Sequence, residues 1–142
     1  MRTLSLYLGT MSTKKRKILI ADDDSEDLEI LTEAMHQLDG HTSIHTVQNG
    51  GQVFRYLASI ADDDLPCVIV LDYKMPILNA AEVLEKFRQE DRYSRIPKVV
   101  WSSSERPEDM NRCLRAGAKE YFIKPNKTSD LRRMAGLMLD YC

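Results

Sequence analysis

Lys17-Ile-Leu-Ile-Ala21 runs directly into Asp22, Asp23 and Asp24, and this junction of an apolar run with an acidic cluster decides how the rest of the chain is read. Three further apolar runs end in a comparable way. Cys67-Val-Ile-Val-Leu71 meets Asp72, Lys98-Val-Val-Trp101 meets Ser102, and Glu120-Tyr-Phe-Ile123 meets Lys124-Pro125. Read as parallel strands of one sheet, the four runs bring their carboxyl ends to a common edge, where open α/β sheets place their ligands. That edge then collects carboxylates, a hydroxyl and an ammonium.

Between these runs the apolar period changes to that of a helix. Leu28, Leu31, Met35 and Leu38 form one helical face, with Asp24 or Ser25 as the cap and an end near Asp39-Gly40. Ser43 to Val47 alternates as a short strand, and Asn49-Gly50-Gly51 turns the chain into a helix bearing Val53, Phe54, Leu57 and Ile60. Asp62-Asp63-Asp64 closes it as a polar loop. A loop through Pro76 leads to a helix over Ala80 to Arg88, Pro107 opens another that stops at Gly117, and Thr128 or Ser129 caps a last one with Leu131, Met134, Ala135 and Met138 inside. Five strands and five helices in strict alternation predict an α/β fold, a parallel sheet covered on both faces.

Composition narrows the function classes. The chain has 142 residues, 43% of them hydrophobic, which suits one domain with a sizeable core and no second catalytic or DNA-binding domain. Twenty Lys and Arg against 22 Asp and Glu give no electrostatic footprint for nucleic acid. Residues 1–16 read as an N-terminal extension, flexible, with too short an apolar stretch for a membrane span, and Met11 competes with Met1 as the natural start. Residues 17–142 read as the folded unit. Cys67, Cys113 and Cys142 are odd in number and widely spaced, and are read as reduced thiols of an intracellular protein.

The carboxylates carry the chemistry. Two of them about 5 Å apart at an effective dielectric near 20 repel by roughly 3 kcal/mol, and Asp22, Asp23 and Asp72 would feel this pairwise. A divalent cation relieves the repulsion, and an all-oxygen donor set favours Mg²⁺ over Zn²⁺. Lys124 adds a point charge able to pair with an anion, and Ser102 adds a hydroxyl donor. Together they can hold a phosphoryl group in line with a carboxylate nucleophile.

Those four blocks, in this order and spacing, resemble the signature of the response-regulator receiver domain of two-component signalling, over roughly Lys17 to Tyr141. The resemblance implies a flavodoxin-like doubly wound sheet of strand order 2-1-3-4-5. It implies that Asp72 accepts a phosphoryl group from a histidine kinase or histidine phosphotransfer protein, and that Asp22, Asp23, Asp72 and the backbone carbonyl of Lys74 hold Mg²⁺. Ser102 takes the place of the family's switch hydroxyl and Tyr121 that of its switch aromatic. Lys124 pairs with the phosphoryl group, and the Lys124-Pro125 bond is expected to be cis. A downstream partner would read the face of the fourth helix, last strand and last helix, with homodimerisation possible there. The implied protein is a cytoplasmic, bacterial-type phosphorelay switch rather than an enzyme, acting without nucleic acid or membrane.

Departures from the pattern are local. Asn79-Ala80 stands where the family has an acidic residue and Gly, so the loop must avoid a strongly positive φ at Ala80. Lys74 and Ser104, each two residues beyond a site residue, bear on how water reaches an acyl phosphate. Two other readings compete: a degenerate receiver acting by binding alone, and an aspartyl-phosphate hydrolase, which would carry a second Asp where this chain has Lys74.

Overall fold

The computed structural model describes residues 15–142. The expected extension, apart from its last two residues, and the choice between Met1 and Met11 therefore lie outside the described residues. Five parallel strands, β1 (Lys17–Ala21), β2 (Ser43–Val47), β3 (Val68–Leu71), β4 (Lys98–Ser102) and β5 (Glu120–Ile123), form one sheet in the order β2-β1-β3-β4-β5. The helices between them are α1 (Ser25–Leu38), α2 (Gly50–Ala58), α3 (Ala80–Phe87), α4 (Pro107–Arg115) and α5 (Thr128–Leu139), with short 3-10 turns at Asp62–Asp64 and Asp91–Tyr93.

Side chains alternate along each strand, so the sheet feeds two cores. Ile18, Ile20, Val68, Val70, Val99 and Trp101 pack against α1 and α5, whereas Leu19, Ile69, Leu71 and Val100 pack against α2, α3 and α4. Burial on both faces is why Val68–Leu71 is apolar at every position. Helix starts follow the local chemistry. The Asp24 carboxylate caps α1 by accepting from the Glu26 and Asp27 amides, and Asn79 with Glu82 makes a reciprocal capping box on α3.

Three local expectations change. Leu38 is 45% exposed, because α1 ends there and its last turn only leans over Gly136 of α5. Helix α5 has no side-chain cap; Thr128 is already its first helical residue. The thiol reading is overturned more substantially. Cys67 and Cys142 form a disulfide, their Cα atoms 5.1 Å apart, and only Cys113 is free among the described cysteines. Folding brings the end of α5 back to the foot of β3, a proximity that a separation of 75 residues hides in the sequence.

Candidate functional site

Register puts the polar residues together. Ala21 is paired with Leu71, and Leu71 with Val100, so Asp22 and Asp72 emerge side by side just past the last paired residues. Ladder bonds continue through them: the Asp72 amide donates to Ala21 O at 2.8 Å and the Asp22 amide to Val47 O at 3.0 Å. Ser102 pairs with Ile123, and the Lys124 amide donates to Ser102 O at 2.8 Å. The four strand ends border a cavity of about 430 Å³ whose walls include Asp23, Asp72, Lys74, Ser102 and Lys124.

At this edge one oxygen each of Asp22, Asp23 and Asp72 lies within 4.8 Å of the others. Asp22 is fully buried and Asp72 nearly so, while Asp23 is exposed. The Lys124 ammonium reaches Asp22 Oδ2 at 2.9 Å, Asp72 Oδ1 at 3.5 Å and Asp27 Oδ2 at 2.7 Å, and it lies 5.0 Å from the centre of the Trp101 ring. One ammonium thus faces three carboxylates. Removal from water pushes the Asp72 carboxyl up to about 7; the Asp22 charge acts in the same direction, and Lys124 opposes both. Burial works against the charge on Lys124, but its contacts with Asp22 and Asp27 and the Asp72 charge outweigh that, so its pKa is raised.

The donor set fits a hard divalent cation. It offers carboxylate oxygens and no nitrogen or sulfur ligand. Three carboxylate oxygens within 4.8 Å of one another, with Lys124 paired to two of the three residues, leave an excess of negative charge that such an ion neutralises.

Ser102 is buried, and its Oγ accepts from the Ser104 amide at 3.1 Å. Ser104 is the hub of the following loop: its hydroxyl donates to Asp109 Oδ2 at 2.6 Å and its carbonyl accepts from the Tyr121 hydroxyl at 3.0 Å. The Ser104 hydrogen bond holds the Asp109 carboxyl below its usual range, and burial raises the Tyr121 phenol. Tyr121 is thus half-buried and tied to the loop that follows Ser102.

Two expectations about backbone are settled here. There is no cis peptide bond among the described residues, so Lys124-Pro125 is trans, the form favoured by about 0.5–1 kcal/mol before proline, and Lys124 still reaches the acidic trio. Ala80 starts α3, and the positive φ of this loop falls on Ile77, at 74°. The loop is pressed close to α2, since a Cβ on Gly50 would lie 2.6 Å from Leu78 O. Asp27, Ser104, Asp109 and Trp101 are site residues whose contacts were not anticipated. Asp27 was the findable one: three residues after the cap Asp24, it lies on the same side of α1.

The sequence profile described as the response regulator receiver domain matches residues 18–135. Among curated proteins, the two-component response regulator ARR15 of Arabidopsis thaliana is 30% identical over 98% of this chain and 70% of its own length. ARR7 of Arabidopsis thaliana is 28% identical over 92% of this chain and 66% of its own length, so the chain spans about two thirds of these relatives. Among solved structures, the phosphorylated cyanobacterial phytochrome response regulator RcpA aligns with a TM-score of 0.79 at 25% identity, covering 87% of this chain and 91% of that one. The Mn(2+)-bound form of response regulator Rcp1 aligns at 0.73 and 23% identity, covering 84% and 88%, a likeness of fold.

Proposed function

We propose that this chain, which belongs to the response regulator receiver domain family, accepts a phosphoryl group on Asp72 from a histidine kinase or histidine phosphotransfer protein and thereby switches a partner-binding surface. The observation that carries the reading is the acidic trio of buried Asp22 and Asp72 and exposed Asp23 within 4.8 Å, with Lys124 ion-paired to the two buried members. An Asp72 carboxylate oxygen attacks the donor phosphorus, the P–N bond to the donor imidazole breaks, and the imidazole keeps the electron pair and takes a proton. Lys124 is placed to pair with the arriving oxygens, and Ser102 to donate its hydroxyl to one of them. Asp22, Asp23, Asp72 and the Lys74 carbonyl would hold Mg²⁺, which neutralises carboxylate and phosphoryl charge when bound.

Ser102 can then exchange its Ser104 contact for the phosphoryl group, and Ser104 passes the change to Tyr121 and Asp109. These lie on β5 and α4, so the α4–β5–α5 face is the surface a downstream protein reads. The chain acts as a cytoplasmic switch over residues 17–142. Among the described residues no helix is long and apolar enough to cross a membrane.

The test is labelling by acetyl phosphate. The expected result is Mg²⁺-dependent incorporation of one phosphoryl group, lost in Asp72→Asn. Label that persists in Asp72→Asn, or appears equally with EDTA, overturns the assignment. Turnover of small phosphate esters would point to a hydrolase. Wild-type protein that takes no label and binds no Mg²⁺ would be a binding-only receiver, a reading the complete acidic trio and Lys124 do not favour.

A further inference from the structure

The three cysteines stand in different surroundings. Cys113 is buried in α4, where loss of water pushes its thiol up to about 11, so it is a poor nucleophile. Cys67 is half-buried at the foot of β3, and Cys142 is exposed three residues beyond Leu139, the last residue of α5. Their Cα separation of 5.1 Å falls inside the range a disulfide spans, roughly 4.4–6.8 Å.

That closeness does not depend on the bond. The Cys67 amide donates to Lys17 O at 2.8 Å, which fixes it to β1. The chain before Cys142 is anchored by buried Met138 and Leu139, by the Tyr141 amide on Met138 O, and by the Tyr141 hydroxyl on Glu120 Oε1 at 2.7 Å. Reduced protein therefore keeps both thiols within reach.

We propose that Cys67 and Cys142 are a reversible thiol–disulfide exchange site for small thiols and disulfides of the glutathione class, a redox modification site that fastens the tail of α5 to the foot of β3. In the closing direction the exposed Cys142 thiolate attacks a small disulfide RSSR, giving a Cys142–S–S–R mixed disulfide and releasing RS⁻. The Cys67 thiolate then attacks the Cys142 sulfur and expels the second RS⁻. Two protein thiols are oxidised, one RSSR is reduced, and the two protons end on two RSH. Opening runs the same steps in reverse with two RSH. Cys142 is the entry point because it is the exposed partner, and Cys67 resolves. The fastening closes a loop that contains Asp72, Ser102 and Lys124 yet lies at the opposite edge of the sheet, so it adds stability without altering the site.

The experiment equilibrates the full chain in buffers of varied reduced-to-oxidised glutathione ratio, quenches with an alkylating reagent, and reads free thiols by intact mass alongside the thermal midpoint. Two thiols are expected to disappear together in one transition, Cys113 reacting only after unfolding. The oxidised protein should melt about 10 °C higher, the shift expected for closing a loop of this length. Cys142→Ser should show no ratio dependence, and Cys67→Ser should accumulate a glutathione adduct on Cys142. Both thiols remaining free in fully oxidised glutathione, or a midpoint shift that survives Cys142→Ser, overturns the proposal. No phosphodonor enters the test, so its outcome is independent of the Asp72 reading.

Discussion

The two edges of the sheet treat charge in opposite ways. At the carboxyl edge Asp22, Asp72 and Asp27 crowd around Lys124, carboxylates outnumber the ammonium that pairs with them, and the Asp72 carboxyl is pushed up to about 7. At the amino edge, and in the loops around it, charges are tied off. Arg92 donates to Leu57 O at 2.7 Å, to Ile60 O at 2.6 Å and to Asp62 at 2.7 Å; Lys17 pairs with Asp64, and Lys98 gives its buried ammonium to Tyr93 O. One edge keeps an excess of carboxylate charge, and the other balances its groups within the chain. The contrast separates binding capacity from structural support, and removing a charge should have opposite signs at the two edges.

The largest effect is expected at Asp72. Its carboxyl titrates near 7 in the fold against an ordinary 3.8, so between about pH 4 and pH 7 the folded chain holds a proton that the unfolded chain has lost. Metal-free stability therefore falls as pH rises through that window, and the penalty is complete above about 7. Asp72→Asn removes the penalty. In EDTA at pH 8 the variant should be more stable than the parent by about 3 kcal/mol, with the gain gone at pH 4. Mg²⁺ should narrow the gap by stabilising only the parent. Urea unfolding at both pH values checks this, and curves that coincide at pH 8 would break the comparison at its stronger end.

At the other edge Arg92→Ala should lower the thermal midpoint by about 5 °C, because two backbone carbonyls lose their donor. Labelling by acetyl phosphate should be unchanged. A loss of labelling comparable to that of Asp72→Asn would show the two edges to be coupled.

Much of the carboxyl edge was legible because its logic is one-dimensional. A strand buried on both faces must be continuously apolar, so the first polar residue after Val68–Leu71 marks the sheet edge, and Asp22 does the same after β1, whereas Ser102 closes β4 from within and the edge strand β5 is only partly buried. The amino edge and the second contacts were not, because they depend on where elements end in space. Asp27 meets Lys124 across 97 residues, and Cys142 meets Cys67 only because α5 stops level with the foot of β3. The Ser104 hub was hidden for another reason. Three consecutive serines look alike in sequence, and only loop geometry makes Ser102 buried, Ser103 exposed and Ser104 the one bonded to Asp109 and Tyr121.

The smallest effect concerns backbone at the carboxyl edge. Ile77 has φ of 74°, a left-handed conformation that costs a β-branched residue about 1–2 kcal/mol, and its side chain is 74% exposed, so little burial offsets the cost. Asn visits that region more readily and, unlike Gly, adds little freedom to the unfolded chain. Ile77→Asn should therefore stabilise the protein by about 1 kcal/mol, read as a higher urea midpoint with an unchanged slope. Functional tolerance of the exchange would show that this strain is incidental to the loop. A slower labelling rate with the same gain in stability would instead tie the strained turn to the position of Lys74, three residues before it, and so extend the unsatisfied character of this edge from its charges to its backbone.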